Sequence, residues 1–184
     1  DGLRQSMEAF KQELKRDSRV EAVSNANTIP GRNFSNNGFF LPGSNETKLI
    51  HQAWVSYDYE QVFNFEMARG RFFSRDYPSD STAIVINEAA VKDLGFGDEP
   101  LGKILLLPSG EGGQMTELRV IGVVKDFHFS PLREKIAPLI FTQRPRPGYL
   151  MARLTPGDTE TTRKQISTVW QEVVGTPLQN YTFV

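Results

Sequence analysis

Only two histidines, His51 and His128, occur among the 184 residues, and histidine is the side chain best suited to acid–base chemistry near neutral pH. His51 precedes an alternating stretch at 52–57, and His128 lies between two phenylalanines. Neither belongs to an HExxH or HxH motif or to a cluster with carboxylates. A structural or solvent-facing role is therefore the favoured interpretation for both. An acid–base role would need partners that the fold brings close.

The carboxylates offer a second kind of chemistry, and they form three close pairs in the sequence: Asp58 with Glu60, Asp76 with Asp80, and Asp98 with Glu99. All three pairs fall near predicted turns or helix starts, where acids are favoured for capping and solvation. A glycosidase would need two carboxylates that face each other across a sugar-binding cleft. No GxSxG motif offers a serine nucleophile instead. A hydrolase that uses carboxylates is accordingly the least favoured function.

Signatures of nucleotide and nucleic-acid binding are weak. The sequence holds no GxxxxGK[ST] motif, and Gly95-Phe96-Gly97 follows a predicted helix, whereas a dinucleotide-binding GxGxxG motif follows a strand. Three arginines surround a pair of phenylalanines at 72–73: Arg69, Arg71 and Arg75. Such a patch can bind single-stranded nucleic acid, but acidic residues flank it and the net charge of the chain is −1. We therefore expect no nucleic-acid partner.

The amino-acid composition limits which classes of protein and of functional site are possible. Apolar residues make up 39% and charged residues 23%, which is typical of a globular domain. The absence of cysteine excludes disulfides, thiolate metal sites and cysteine nucleophiles. The sequence contains no run of about 20 apolar residues, which is the length needed to span a bilayer. From the residues we predict no catalytic residue, no cofactor and no metal.

Hydrophobic spacing predicts two long amphipathic helices, one from Leu3 to Arg16 and one that Asp158 caps and Gly175 ends. Asn87 is the expected N-cap of a shorter helix from Glu88 to Leu94. A second short helix is expected at 59–65. The predicted strands lie at 20–23, 49–57, 83–86, 103–107, 118–124, 138–142, 149–154 and 178–184, with another that starts near 39–40. A loop is expected at 29–37.

The order of these elements predicts an α+β fold of two lobes. The last forty residues are predicted to form a strand, a helix and a strand. The opening helix and strand can bury their apolar faces against this unit. We therefore predict a porter-like lobe of βαβ type from residues 1–60 with 144–184, and an inserted, mainly β lobe at 61–143. The Pro- and Gly-containing stretch at 144–148 is predicted to be a stiff connector. Both chain ends look like cuts in a longer polypeptide.

Eight short segments occur in a distinctive order between residues 55 and 141. They are Val55-Ser-Tyr57, FEMARGRFFSRD at 65–76, AIVINEAA at 83–90, Leu94-Gly-Phe-Gly97, Pro100-Leu-Gly102, VIGVVKDF at 120–127, Pro131-Leu-Arg133 and PLIF at 138–141. In order and spacing this set resembles the periplasmic core domain of MacB-like ABC transporter permeases. The resemblance marks seven residues as a structural signature: Gly70, Arg71, Asn87, Glu88, Gly102, Gly122 and Asp126.

The resemblance implies an extracytoplasmic domain of a permease in the cell inner membrane. In that family the domain couples cytoplasmic ATP hydrolysis to export or to mechanical transmission across the membrane, without catalysis of its own. The implied partners are transmembrane helices of the parent chain, a separate ATP-binding subunit, a second permease, and a periplasmic adaptor or lipoprotein. We also expect the two chain ends to lie together on the side that faces the membrane.

A different class of function stays open beside this one. The chain could be a free-standing secreted or periplasmic module that binds carbohydrate or peptide. Exposed aromatic residues such as Trp54 or Phe39 would then form the binding platform. Several aromatics on one accessible face would favour this alternative, whereas membrane helices on both sides of the domain would favour the permease.

Overall fold

The computed structural model describes residues 2–32, 34–109, 113–129, 135–144 and 148–183, with the backbone alone described for residues 2–4. Within these ranges the helices are α1 Gly2–Leu14, α2 Tyr59–Phe63, α3 Glu88–Asp93 and α4 Thr159–Val174, with a 3-10 helix at Pro78–Thr82. The strands are β1 Val20–Ala26, β2 Ser35–Phe39, β3 Lys48–Val55, β4 Met67–Gly70, β5 Ala83–Asn87, β6 Ile104–Pro108, β7 Met115–Val124, β8 Leu139–Gln143 and β9 Tyr149–Leu154. The α+β class predicted from the sequence is confirmed.

All nine strands belong to one mixed sheet with the order β4-β7-β5-β8-β3-β1-β9, in which β2 also pairs with β3 and β6 with β7. Two backbone hydrogen bonds between Phe40 and Leu106, of 2.9 and 2.8 Å, join the end of β2 to β6. Six strands therefore form a closed ring in the order β2, β3, β8, β5, β7 and β6. We call this ring the closed sheet.

Apolar side chains fill the inside of the closed sheet because alternate residues of each strand point to the same face. Phe39, Ile50, Ile84 and Ile140 are each at most 1% exposed there. Helix α3 adds Ala90 and other residues to the same cluster. This helix therefore lies against the end of the ring at which β5 ends, and the short 3-10 helix at Pro78–Thr82 precedes β5 at the opposite end.

A second core covers the outer face of the closed sheet and is rich in phenylalanine. The ring of Phe65 lies 4.5 Å from that of Phe127 and 5.6 Å from that of Phe141, between ring centroids. Phe72 and Phe73 pack into the same cluster and are nearly inaccessible. The loop that follows β4 is consequently held on the sheet by its two phenylalanines.

The terminal helices bury a third and smaller core. Strands β1 and β9 pair along their whole length in antiparallel orientation, and α1 and α4 pack on them. Phe10 of α1 meets Trp170 of α4 edge to face, with 5.1 Å between ring centroids. Helix α4 begins at Asp158, which accepts hydrogen bonds from two backbone N–H groups, and ends at Gly175 with φ of 81°. Both boundaries agree with the sequence prediction.

The predicted closing strand at 178–184 is wrong for residues 178–183, and Val184 lies outside the described residues. Asn180 adopts φ of 58°, in the left-handed region, which interrupts an extended backbone. Tyr181 and Phe183 are 52% and 56% exposed. The apolar pattern of this segment therefore does not correspond to a place in the sheet.

The predicted loop at 29–37 is also wrong at its end, since β2 begins at Ser35. Backbone pairing with residues 48–52 of β3 makes this polar stretch a strand. Phe39 ends that strand, whereas the sequence suggested that it starts one. Residues 145–147 of the predicted connector lie outside the described residues. One sheet runs through residues on both sides of position 60, and the division into two lobes stays a prediction.

Candidate functional site

Three of the seven signature residues meet at the start of α3. Asn87 caps the helix, because its Oδ1 atom accepts a hydrogen bond of 3.0 Å from the backbone N–H of Ala90. Asp126 accepts from the backbone N–H of Ala89 at 2.9 Å. Glu88 in turn accepts from the backbone N–H of Asp126 at 3.1 Å. Two side chains thus accept from two of the free N–H groups at the start of the helix, and a third fixes the end of β7 against it.

Asn87 also connects α3 to the strand next to β5. Its Oδ1 accepts a second hydrogen bond of 2.9 Å from the backbone N–H of Leu139. Its Nδ2 donates to the carbonyl oxygen of Ala137 at 3.0 Å. The side chain is wholly buried, so these main-chain groups have no water to replace it.

Replacement of Asn87 by alanine is expected to lower the free energy of unfolding by about 2–3 kcal/mol, because a helix cap is lost and buried main-chain groups are left unpaired. The matched control is Asp158→Ala, which removes the exposed cap of α4 and should cost about 1 kcal/mol. Urea unfolding of both variants measures the difference. Equal losses would contradict the role given to the buried amide.

Gly70 and Gly122 bring two backbones into direct contact. They are opposite each other in the antiparallel pair of β4 and β7. A Cβ atom on Gly122 would lie 2.1 Å from the carbonyl oxygen of Arg71, and one on Gly70 would lie 2.2 Å from that of Ile121. Gly70 also has φ of 66°. No side chain fits between the two strands at this point.

Arg71 and Asp80 form the most buried ion pair among the described residues. The two guanidinium nitrogens donate to the two carboxylate oxygens at 2.8 and 2.7 Å, and the Asp80 side chain has no exposure to solvent. Asp80 also accepts from the backbone N–H of Ser74 at 2.9 Å. Burial by itself raises the pKa of Asp80, but the bonds from Arg71 and Ser74 outweigh it, so that the pKa lies below its ordinary value.

The arrangement of the remaining signature residue is that of a turn. Gly102, with φ of 81°, leads into β6, and its backbone N–H donates to the carbonyl oxygen of Val120 at 2.8 Å. All seven signature residues thus occupy turns, caps, close approaches or ion pairs. Their contacts are those of a scaffold, and their status as a family signature stays a prediction.

A separate group of charges connects α1 to the loop after β4. Asp58, which is 8% exposed, accepts hydrogen bonds from Lys15 and from Arg75, each at 3.2 Å. Burial raises the pKa of Asp58, but the two cations outweigh it and hold the pKa below its ordinary value. Asp58 therefore ties the end of α1 to a segment far away in the sequence.

The structure does not gather the other candidate residues into a reactive site. His51 packs against the rings of Phe34 and Phe129, which also contact each other, and His128 is exposed. Within the described part of the chain Asp76 bonds only to Ser74, in its own turn. Among the described residues no group of three histidines or carboxylates is placed to hold a metal ion, and no helix there is long and apolar enough to cross a bilayer.

A polar cavity of about 200 Å³ opens at the end of the closed sheet away from α3. Trp54, Gln52 and Thr142 are among the residues that line it. Phe39 cannot form part of an aromatic platform because it is wholly buried, which corrects that part of the sequence analysis. The cavity itself was not predicted. The alternation at 52–57 placed Gln52 and Trp54 on one face, but only the ring shows what that face encloses.

The comparison with family models identifies an extracytoplasmic domain of the kind found in ABC transporter permeases. Residues 3–169 match the family model of the MacB-like periplasmic core domain. The chain therefore belongs to that family. No curated protein matches the chain.

Solved structures of similar fold include three such domains. The periplasmic region of MacB from Actinobacillus actinomycetemcomitans is 16% identical, with a TM-score of 0.64 over 92% of this chain and 74% of that one. The extracellular domain of the noncanonic ABC-type transporter YknZ from Gram-positive bacteria is 18% identical, with a TM-score of 0.64 over 92% and 84%. A permease-protein domain from Porphyromonas gingivalis is 19% identical, with a TM-score of 0.60 over 88% and 74%. At these identities the likeness shows the fold.

Proposed function

We propose that this domain couples ATP hydrolysis on the cytoplasmic side of an inner-membrane permease to export or mechanical transmission on the outer side, and that it catalyses no reaction itself. Membership of the MacB-like periplasmic core domain family supports the placement in a permease. The ATP-binding subunit is a separate chain in this proposal. The partners are the transmembrane helices of the parent chain, a second permease, and an adaptor or lipoprotein outside the membrane.

The observation that carries the proposal is the way α1 is fastened to the rest of the domain. Lys11 of α1 is buried, and its Nζ donates to Asn25 of β1 at 3.3 Å. Four residues later Lys15 bonds to Asp58, which Arg75 holds from the other side. A displacement of α1 would therefore act on both the terminal sheet and the loop after β4.

Packing between the terminal helices supports the same route. The edge-to-face contact of Phe10 and Trp170 joins α1 to α4, and such contacts resist sliding because interiors are close-packed. In the proposed mechanism, motion of the membrane helices enters through α1 and through the segment after α4. Residues 1 and 184 lie outside the described residues, so that the meeting of the chain ends remains part of the proposal.

The ion pairs at Asp58 lead to a local prediction. Asp58→Asn should accelerate amide exchange in the last turn of α1 by about tenfold, because loss of a charge-assisted hydrogen bond costs about 1.5 kcal/mol. The control is Glu13→Gln, which removes the more exposed pair between Glu13 of α1 and Arg16 just after it and should change exchange by less than about twofold. Hydrogen exchange with mass spectrometry compares the variants. Equal acceleration in both would show that Asp58 does not fasten the helix.

The coupling role is tested in the parent permease, reconstituted with its ATP-binding subunit in nanodiscs. ATP is expected to change amide exchange in α1 and α4 more than in the closed sheet, because the ring moves as a body. In Asp58→Asn we expect hydrolysis of ATP to continue and the ATP-dependent change beyond α1 to shrink. A domain whose exchange is the same with and without ATP would overturn the proposal.

A further inference from the structure

A cavity lined by side chains lies at the end of the closed sheet opposite α3. There β3 and β8 end while β5 and β7 begin, as the register of their pairs shows. Ile50 and Gln52 of β3 are two residues apart and point to the same side, as do Ile140 and Thr142 of β8. Ile50 and Ile140 belong to the apolar interior. The polar pair Gln52 and Thr142 therefore forms the floor of the cavity above that interior.

The hydrogen bonds across this floor use Thr142, which lines the cavity, as an acceptor. Asn37 Nδ2 donates to Gln52 Oε1 at 2.6 Å, and Gln52 Nε2 donates to Thr142 Oγ1 at 3.1 Å. The Thr142 hydroxyl accepts in this chain, so its own proton remains to be donated. No acceptor for it is found among the described residues, although the side chain is only 5% exposed. A buried donor without an acceptor favours a ligand atom that accepts.

The charge of the lining has one sign. Arg144, at the rim, is the ionisable residue among those that line the cavity, and no Asp or Glu within the described ranges joins it there. Among the described residues Arg144 also has no carboxylate partner. Trp54 and the side chains of Leu107 and Pro108 supply apolar wall. A cation therefore finds no counter-charge here, whereas an anion meets a guanidinium and neutral donors.

We propose that this cavity binds a carboxylate group, carried either by a small free acid or by the C-terminus of a peptide. The planar guanidinium of Arg144 suits the two oxygens of a carboxylate, and the Thr142 hydroxyl is the donor at depth. The volume of about 200 Å³ is below the range of roughly 300–1,000 Å³ that holds drug-sized ligands. The ligand group inside the cavity is accordingly no larger than one or two amino-acid residues.

This inference goes beyond the coupling role and does not depend on it. Its test uses acetyl-Ala-Ala with a free C-terminus, the same peptide as a C-terminal amide, and acetate, each titrated into the labelled chain by NMR. The free acid is expected to shift the Trp54 indole and Thr142 amide signals. The amide should bind at least about tenfold more weakly, since loss of a charge-assisted contact costs about 1.5 kcal/mol or more.

Variants separate the cavity from the general surface. Arg144→Gln and Thr142→Val should each weaken binding of the acid by about tenfold, and a thermal melt checks that the second variant stays folded. The control is Arg119→Gln, an exposed arginine on β7 outside the cavity that bonds to the carbonyl oxygen of Gly102, and it should leave binding unchanged.

The comparison of probes identifies the source of the carboxylate. Acetate that binds as tightly as the peptide assigns the cavity to small free acids, and tenfold tighter binding of the peptide assigns it to chain ends. Equal binding of acid and amide, or shifts that spare Trp54 and Thr142, would overturn the proposal. So would an equal effect of the substitutions at Arg119 and Arg144.

Discussion

Replacement of Gly122 by alanine is expected to lower the free energy of unfolding by about 3 kcal/mol, the upper part of the usual range for overpacking. The added Cβ would lie 2.1 Å from the carbonyl oxygen of Arg71 and 2.8 Å from the end of the Met67 side chain. The methionine side chain can move, but the carbonyl oxygen of Arg71 belongs to the backbone directly after β4, which is held against β7. Relief therefore requires β4 to shift away from β7, which weakens the pairing that holds the loop with Phe72 and Phe73.

Gly38 offers the matched control for this substitution, because it is also a strand glycine without positive φ. A Cβ there would meet only the Thr47 methyl group, at 2.8 Å, which can turn aside. Gly38→Ala should therefore change stability by less than about 1 kcal/mol. Chemical denaturation of both variants gives the comparison. A small and equal effect at the two sites would mean that the strands tolerate a wider spacing.

The second large effect is expected at Asp80. Asp80→Asn removes the partner of a guanidinium from a fully buried position and should cost about 3 kcal/mol of stability at neutral pH. Arg71 is 35% exposed, so water can partly replace the carboxylate. It also lies 3.8 Å above the ring of Tyr77, a contact that the substitution leaves in place.

The pH dependence gives this effect a second readout. The folded pKa of Asp80 lies below that of the unfolded chain, which is about 3.9. Its contribution is therefore complete above the unfolded pKa and is lost as the pH falls through the folded pKa. The difference between wild type and Asp80→Asn should be constant from about pH 5 to 8 and shrink below about pH 4.

Asp76→Asn is the control, since Asp76 is exposed and its hydrogen bonds among the described residues lie within its own turn. It should cost less than about 0.5 kcal/mol at neutral pH. Urea unfolding from pH 3 to pH 7 measures the free energy of unfolding of wild type, Asp80→Asn and Asp76→Asn. A difference between wild type and Asp80→Asn that persists undiminished at pH 3 would be inconsistent with an ionised carboxylate as its source.

Elements with local signals were predictable from the sequence. Asn87 before a short helix, Asp158 before a long one, and Gly175 after it are signals read within four residues, and all three boundaries agree with the structure. The run at 83–86 is apolar throughout and is fully buried as β5. Capping chemistry suffices at the helix ends because the partners there are neighbours in the chain, and an unbroken apolar run suffices at β5 because a short run rich in β-branched residues favours a buried strand.

Two segments whose conformation depends on distant pairing were mispredicted. The polar residues at 35–37 have no strand pattern of their own, and β3 makes them a strand by supplying backbone partners. The apolar residues at 178–183 have a strand-like pattern but form no strand within the described part of the chain. The hydrophobic pattern indicates which face of a segment could be buried. Only the tertiary structure decides whether a neighbouring strand is present to pair with that segment.

The sequence by itself determined the fold class, the family resemblance and the caps of α3 and α4, because these follow from residue types at short spacing. The tertiary structure decided the ring closure at Phe40 and Leu106, the contact of Lys15 with Asp58, and the cavity whose floor is the hydrogen-bonded pair Gln52 and Thr142. The last two pairs are separated by 43 and 90 positions in the chain. Contacts over such distances depend on the register of paired strands, which no local signal specifies.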